Sequence, residues 1–242
     1  MNLCAALLLV ATANEITVEE RIGTQLPIDL QLRDEHGAAR SLGTILQGRT
    51  TLLLLAYPRC PALCGLVQRR LTEVLRRSRR QLGRDYRLAN LSYDPRTTPV
   101  EARQAQTQAL VQIGRPDAAD SWPFLLGDAH AITTLSDRLG IRYVRDARSG
   151  EVAHPAVLVA LSPGGTILRY LYGTEFSLTE VEGALDGQPN SLRDRLLLVC
   201  GRLAPTLRRY AVWLDRSLRF TGIVTLLLLL FGIALAVRRA PR

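Results

Sequence analysis

Two cysteines four positions apart are the residues of this 242-residue sequence best suited to chemistry. Cys60 and Cys64 follow an apolar run of strand length, residues 50–57 (TTLLLLAY), and precede a stretch with the period of an amphipathic helix. Side chains four apart on a helix share one face, with Cα atoms about 6 Å apart, which permits a disulfide or a shared metal ion. In an arbitrary helix, two cysteines at this spacing are most often buried and inert. The position of this pair, at the junction between a strand and a helix, favours a functional role instead.

The start of the helix should make these thiols reactive. Pro61 suits the first helical position, which would place Cys60 at the cap and Cys64 in the first turn. Unpaired backbone N–H groups at that end stabilise thiolates, so we expect the pKa of both thiols to lie below the usual value of about 8.5. Such thiolates exchange disulfides readily and bind soft metal ions.

Strands and helices alternate along the chain, which predicts a mainly parallel sheet covered by helices. The turn Pro163-Gly164-Gly165 then predicts a closing antiparallel hairpin. An α/β core with a central mixed sheet flanked by helices, closed by a hairpin and a last helix, is the thioredoxin-like pattern. In chain order the predicted strands are 50–57, 86–93, 122–126, 156–162 and 166–172, and the predicted helices are 63–82, 100–113, 129–139 and 177–187.

A metal ion held by two thiolates needs further ligands, and the chain has three histidines. His154 is the best placed, because it precedes a predicted strand and its loop lies against the cysteine loop in a thioredoxin-like fold. We expect His36 at the surface and His130 to cap its helix or face solvent. Two thiolates and an imidazole form a soft three-coordinate set suited to Cu(I), whereas structural Zn(II) would need a fourth ligand that the sequence does not clearly provide. We therefore expect copper, as Cu(I), Cu(II) or both.

One acidic residue lies where such a site is expected. Asp94 follows the predicted strand 86–93, at the carboxyl edge where α/β folds place their sites. We assign it an accessory role, either orienting a ligand or joining the coordination of Cu(II). An aspartate before proline is equally typical of a turn.

The positive charge of the chain belongs to its C-terminal part. The sequence carries 31 arginines, no lysine and 22 acidic residues, for a formal net charge of +9. Residues 1–190 hold 21 arginines against 20 acidic residues, whereas 191–242 hold 10 arginines against two. This distribution argues against nucleic-acid binding, and the lack of lysine excludes a lysine nucleophile.

The apolar segments predict a protein of the bacterial cytoplasmic membrane. Residues 220–237 contain no charge and would span about 27 Å as a helix, enough to cross a bilayer once. Residues 1–13 have the pattern of a signal peptide, although no basic residue precedes the apolar run and a first strand or helix is the alternative. The main domain would then be extracytoplasmic or periplasmic. The predicted parts are a signal peptide (1–13), a thioredoxin-like domain (14–190), a basic amphipathic juxtamembrane segment that includes Cys200 (191–219), a transmembrane helix (220–237) and a short basic tail (238–242).

Three motifs together resemble the SCO/SenC family of thioredoxin-like copper proteins. They are residues 57–64 (YPRCPALC), residues 91–99 (LSYDPRTTP) and His154, and the resemblance covers roughly residues 26–185. It implies that Cys60, Cys64 and His154 bind copper, and that the cysteines also cycle between dithiol and disulfide during assembly of cytochrome c oxidase. Thr98 replaces a common acidic residue and Gly65 replaces a common proline, and many members carry an N-terminal anchor, so the chain resembles a divergent branch.

These features favour a membrane-tethered copper chaperone. It would bind copper through Cys60, Cys64 and His154 and pass the ion to a respiratory oxidase subunit or another membrane-bound copper acceptor. The alternative is a thiol-disulfide oxidoreductase that keeps acceptor cysteines reduced, with Cys60 and Cys64 as a redox-active dithiol. A thiol peroxidase is less favoured, because Tyr57 stands where that chemistry would want a threonine, and a purely structural docking role would make both cysteines dispensable.

Overall fold

The computed structural model of the protein describes residues 16–60, 64–146 and 151–188. A 3₁₀ helix covers Pro116–Ser121. The strands are β1 (Gln31–Arg33), β2 (Ala39–Ser41), β3 (Thr51–Leu55), β4 (Arg87–Leu91), β5 (Phe124–Leu125), β6 (Val144–Arg145), β7 (Val152–Ala153), β8 (Val157–Leu161) and β9 (Ile167–Tyr172), and the α-helices are α1 (Leu42–Leu46), α2 (Cys64–Leu75), α3 (Pro99–Ile113), α4 (Ala129–Arg138) and α5 (Leu178–Leu185).

A five-stranded mixed sheet in the order β5–β4–β3–β8–β9 forms the centre of the fold. Strand β3 is parallel to β4 and antiparallel to β8, and every one of its residues is buried, as expected for an apolar run covered on both faces. Thr51 of β3 pairs with Leu161 and Leu54 pairs with Leu158. The chain therefore leaves β3 at the same edge of the sheet at which it enters β8.

Two helix starts that border the sheet are fixed by reciprocal capping. The Thr98 hydroxyl accepts from the N–H of Glu101, and the Glu101 carboxylate accepts from the N–H of Thr98, with Pro99 in the first turn of α3. Ser177 and Glu180 form the same capping box at the start of α5. Because these caps satisfy backbone donors, they hold each helix start at a defined residue.

Helix α2 packs its apolar side on the core, with Val67, Leu71 and Leu75 at most 3% exposed. It contacts α3 and α5. The helix ends at Leu75, so the predicted extension to residue 82 is wrong. Ser78 turns the chain there, since its hydroxyl donates to Glu182 of α5 while accepting from the N–H of Arg80.

The predicted α/β thioredoxin-like core is confirmed, with small shifts at the ends of its elements. The sequence analysis missed the β1–β2 hairpin, α1 and the β6–β7 hairpin, whose strands of two or three residues are too short to show a period. Among the described residues, no helix has the length and apolarity needed to cross a bilayer. The predicted signal peptide (1–13), juxtamembrane segment, spanning helix and basic tail (191–242) lie outside the described residues.

Gly140 allows a close approach that a side chain would block. Its φ is +65°, and a Cβ there would lie 1.9 Å from the carbonyl oxygen of Glu19. We expect Gly140→Ala to lower the free energy of unfolding by about 3 kcal/mol, since left-handed strain and a backbone clash add together. Gly23→Ala is the matched control, because Gly23 also has a positive φ but nothing within 4 Å, and it should cost only about 1 kcal/mol. Urea unfolding followed by tryptophan fluorescence measures both, and equal losses would contradict the steric argument.

Candidate metal centre

Three segments meet at one edge of the sheet and build the centre. The chain leaves β3 through Tyr57 to Cys60, re-enters as α2 at Cys64, and returns ninety residues later with His154 just before β8. Because β8 runs antiparallel to β3, its first residues lie beside the last residues of β3. The pairing of β8 with β3 therefore places His154 beside the cysteines, although ninety residues separate it from Cys64 in the sequence.

The side chains of Cys60, Cys64 and His154 converge as the sequence predicted. One ligand atom from each lies within 4.8 Å of the others, and the Cys64 sulfur is 3.2 Å from Nε2 of His154. Both cysteines are free thiols, with Cys64 buried and Cys60 half-buried. Within the described residues, no other histidine, cysteine or carboxylate joins this group. Two sulfurs and one imidazole nitrogen at this separation are a donor set that can hold one soft metal ion.

The ring of His154 is oriented by its own backbone and by tyrosines. Its Nδ1 lies 3.0 Å from the carbonyl oxygen of Pro155, so we assign the proton to Nδ1, which donates to that carbonyl. Nε2 then presents a lone pair toward the Cys64 sulfur, which lies 3.2 Å away. The Tyr93 ring packs on the imidazole at 4.6 Å between centroids, and Tyr57 meets it edge-on at 6.2 Å. The imidazole therefore faces the sulfurs in the form that a metal ligand needs.

Burial governs protonation at this centre. It raises the pKa of the Cys64 thiol to about 12, reinforced by the hydrogen bond with Cys60. The prediction that the helix start lowers the pKa of both thiols is therefore wrong for Cys64, whose side chain is removed from solvent. Burial also lowers the pKa of His154, partly opposed by its bond to Pro155. Both groups are thus neutral at pH 7, so no uncompensated charge is buried.

Asp94 lies near the centre but its carboxylate is used elsewhere. It is buried at the carboxyl end of β4, where Arg96 binds both of its oxygens and Arg145 approaches Oδ1 at 3.4 Å. Burial raises the pKa of Asp94, but the hydrogen bonds from Arg96 and the charge of Arg145 outweigh it and hold the pKa below its ordinary value. Arg145 pairs with Val152 in the β6–β7 hairpin. Asp94 therefore links the end of β4 to the hairpin that leads into His154.

A cavity of about 140 Å³ opens beside the two sulfurs, between α2 and α3. Its walls include Cys60 and Cys64 together with the polar side chains of Gln68, Asn90 and Gln108. Asn90 is held in place, because it accepts from the indole N–H of Trp122 and donates to Gln68. The two sulfurs therefore line a cavity whose walls are partly polar.

The other two histidines lie apart from the centre. The His36 side chain is 62% exposed beside the buried Glu35, and His130 is exposed in the first turn of α4. Both positions agree with the expectation for surface histidines. Sequence reasoning missed Tyr57, Tyr93 and Arg145, although both tyrosines stand at the ends of predicted strands that lead into the site. The Tyr57 hydroxyl accepts from the N–H of Val152, which ties the cysteine loop to the β6–β7 hairpin.

Comparison with solved structures shows which proteins share this fold. A proposed electron transfer protein from Aquifex aeolicus VF5 is similar with a TM-score of 0.60 and 26% identity, over 69% of this chain and 93% of that chain. ScoI of Arabidopsis thaliana, solved with copper bound, is similar with a TM-score of 0.55 and 19% identity, over 69% and 97% of the two chains. BsSco, described as a Sco-family cytochrome c oxidase assembly protein with a disulfide switch, is similar with a TM-score of 0.51 and 18% identity, over 69% of this chain and 98% of that chain.

This chain has the thioredoxin-like fold of the SCO proteins. The SCO/SenC resemblance drawn from the motifs is thereby confirmed for the fold. No protein-family model and no curated protein matches the sequence. The convergence of Cys60, Cys64 and His154 is a side-chain observation that adds to the likeness of the backbone fold.

The unequal burial of the cysteines predicts unequal reactivity. At pH 8 we expect iodoacetamide to modify Cys60 at least about tenfold faster than Cys64, because Cys64 is buried, hydrogen-bonded and has a raised pKa. Peptide mass spectrometry of the full chain, sampled over time, gives both rates. Cys60→Ser should leave Cys64 slow, and a fast Cys64 in that variant would contradict the burial argument.

Proposed function

We propose that this SCO-type domain binds one Cu(I) ion through Cys60, Cys64 and His154 and passes it by ligand exchange to an acceptor. The single observation that carries the proposal is the convergence of two sulfurs and one neutral imidazole within 4.8 Å. Cu(I) favours soft ligands at low coordination number, and this group has three of them. The copper-bound ScoI of Arabidopsis thaliana supports the choice of metal, since it shares the fold.

The proposed acceptor is a copper centre of a respiratory oxidase or another membrane-bound copper protein. The support is the family resemblance in residues 57–64 and 91–99, together with the oxidase assembly role described for BsSco. The apolar segment 220–237 supports a single-pass tether to the bacterial cytoplasmic membrane. A tethered domain on the extracytoplasmic side would meet such an acceptor at the membrane surface.

The thiol arrangement also favours a second candidate, thiol-disulfide exchange. Cys60 is the more exposed sulfur and would attack an acceptor disulfide, while Cys64 lies close enough to resolve the mixed disulfide. The acceptor would gain two thiols as Cys60 and Cys64 form a disulfide. The two functions differ in their need for His154, which copper binding requires and exchange does not.

Copper titration tests the leading proposal. The full chain in nonionic detergent, titrated anaerobically against a chromogenic Cu(I) chelator, should bind one equivalent, and Cys60→Ser/Cys64→Ser should bind none. His154→Ala should weaken binding by at least about 100-fold but leave reduction of a small disulfide within a factor of about two. His130→Ala is the matched control and should match the wild type. If His154→Ala lost Cu(I) binding and disulfide reduction to the same extent, or lost neither, the result would count against the chaperone assignment.

The affinity for Cu(I) should rise with pH. The thiol of Cys64, whose pKa is raised to about 12, must lose its proton to bind metal at any pH below that value. The apparent affinity should therefore increase by at least about tenfold per pH unit between pH 6.5 and 8. His154 adds little to this slope, because burial lowers its pKa below the ordinary value. Chelator competition at several pH values measures the slope, and an affinity independent of pH would contradict the proposed ligand.

A further inference from the structure

Positive charge within the SCO-type domain is concentrated on α2 and the turn that follows it. Residues 64–80 contain six arginines and one glutamate, for a net charge of +5. The rest of residues 1–190 contain 15 arginines and 19 acidic residues, for a net charge of −4. A near-neutral domain therefore presents one strongly positive surface.

Four of these arginines form a surface that we name the arginine stripe: Arg69, Arg76, Arg77 and Arg79. All four are exposed, and within the described part of the chain none forms a salt bridge. Arg70 and Arg80 differ, because they pair with Glu73 and Asp186. Arg69 lies on α2, and Arg76, Arg77 and Arg79 lie in the turn that follows its last residue, Leu75. The N–H of Arg76 still bonds the carbonyl of Thr72, as it would in the helix, so Arg76 lies about two helical turns beyond Arg69 on the same side.

The stripe begins at the metal centre. Helix α2 starts with Cys64, and the Arg69 side chain extends back over the next residue, so that a Cβ on Gly65 would lie 3.6 Å from Nη1 of Arg69. Cys64 and Gly65 both line the cavity that opens beside the sulfurs. A partner held along the stripe would therefore lie next to the two sulfurs.

The chemistry of α2 favours a protein partner over a lipid surface. Helices that bind membranes insert large apolar side chains between lipids. The apolar residues Val67, Leu71 and Leu75 of α2 are buried in the core, and the large apolar side chains exposed in the described residues lie on other elements. The stripe therefore offers charge without an apolar anchor, which suits an acidic protein surface.

We propose that the arginine stripe docks an acidic segment of the protein that exchanges copper with Cys60 and Cys64. The docking of an acidic polypeptide stands on the charge distribution alone, whereas its identity as the copper acceptor rests on the proposed function. The positive charge of the four guanidinium groups attracts an acidic partner and raises its association rate at low ionic strength. Added salt screens this attraction and lowers the rate.

A peptide without cysteine tests the docking independently of copper. The full chain is reconstituted in nanodiscs of neutral phosphatidylcholine, and a fluorescein-labelled 12-residue peptide of glutamate and serine is titrated by fluorescence anisotropy. Arg69→Gln/Arg76→Gln/Arg77→Gln should weaken binding at least about fivefold at 25 mM salt. The matched control, Arg33→Gln/Arg138→Gln/Arg142→Gln, removes the same charge from exposed positions on other elements and should change binding by less than twofold.

Three outcomes would overturn the docking proposal. Equal weakening in both triple variants would mean that net charge alone attracts the peptide. Unchanged binding in the stripe variant would mean that another surface holds it. Loss of the difference between variants in nanodiscs with 30% phosphatidylglycerol would mean that anionic lipid occupies the stripe.

A second measurement tests whether the docked partner is the copper acceptor. The Cu(I)-loaded full chain is mixed with a peptide that has two cysteines flanked by glutamates, or by glutamines as the matched control. We expect transfer to the glutamate peptide to be about tenfold faster in the wild type and equal for both peptides in the stripe variant. Equal rates in the wild type would overturn the acceptor role. Failure of the chain to bind copper would instead refute the proposed function and leave the anisotropy result standing.

Discussion

The contact between the Cys64 sulfur and the imidazole of His154 depends on the antiparallel pairing of β3 with β8. Ninety residues separate the two side chains, yet the Leu54–Leu158 register places the start of β8 beside the end of β3. A slip of one residue would turn every side chain of β8 to the opposite face of the sheet. Because both strands are fully buried, such a slip would disrupt the core, and the stability of the sheet therefore protects the geometry of the site.

The buried donors of the centre are neutral before an ion binds. Cys64 keeps its proton and His154 has none on Nε2, so the interior carries no unpaired charge before an ion arrives. On the proposed function, Cu(I) would take the place of the proton on Cys64 and would also be held by the thiolate of Cys60 and by Nε2 of His154. With both cysteines as thiolates, the three described donors supply two negative charges, so net charge does not favour Cu(I) over a divalent ion, and the preference for Cu(I) rests on the softness and low number of the donors.

The sheet and the cysteine pair could be predicted from the sequence because both leave strong local patterns, whereas the position of His154 was inferred from the expected fold. The apolar run of β3, the turn at Pro163 and the spacing of Cys60 and Cys64 are each visible in a few neighbouring residues. The β6–β7 hairpin could not be predicted, because its two-residue strands have no period and are fixed by contacts distant in sequence, such as that of Arg145 with Asp94. The Cys64 pKa was predicted in the wrong direction for a similar reason. The helix start is a local feature, whereas the burial that outweighs it comes from the whole fold.

The two sulfurs of the centre differ in their exposure to solvent. Cys60 is half-buried and Cys64 is buried, and the imidazole of His154 packs against Tyr93 and Tyr57. On the proposed function, an incoming thiol would displace the more exposed sulfur, that of Cys60, while Cys64 and His154 still hold the ion. Copper would then be transferred by stepwise ligand exchange that begins at Cys60. A free ion would not be released into the surrounding water at any step.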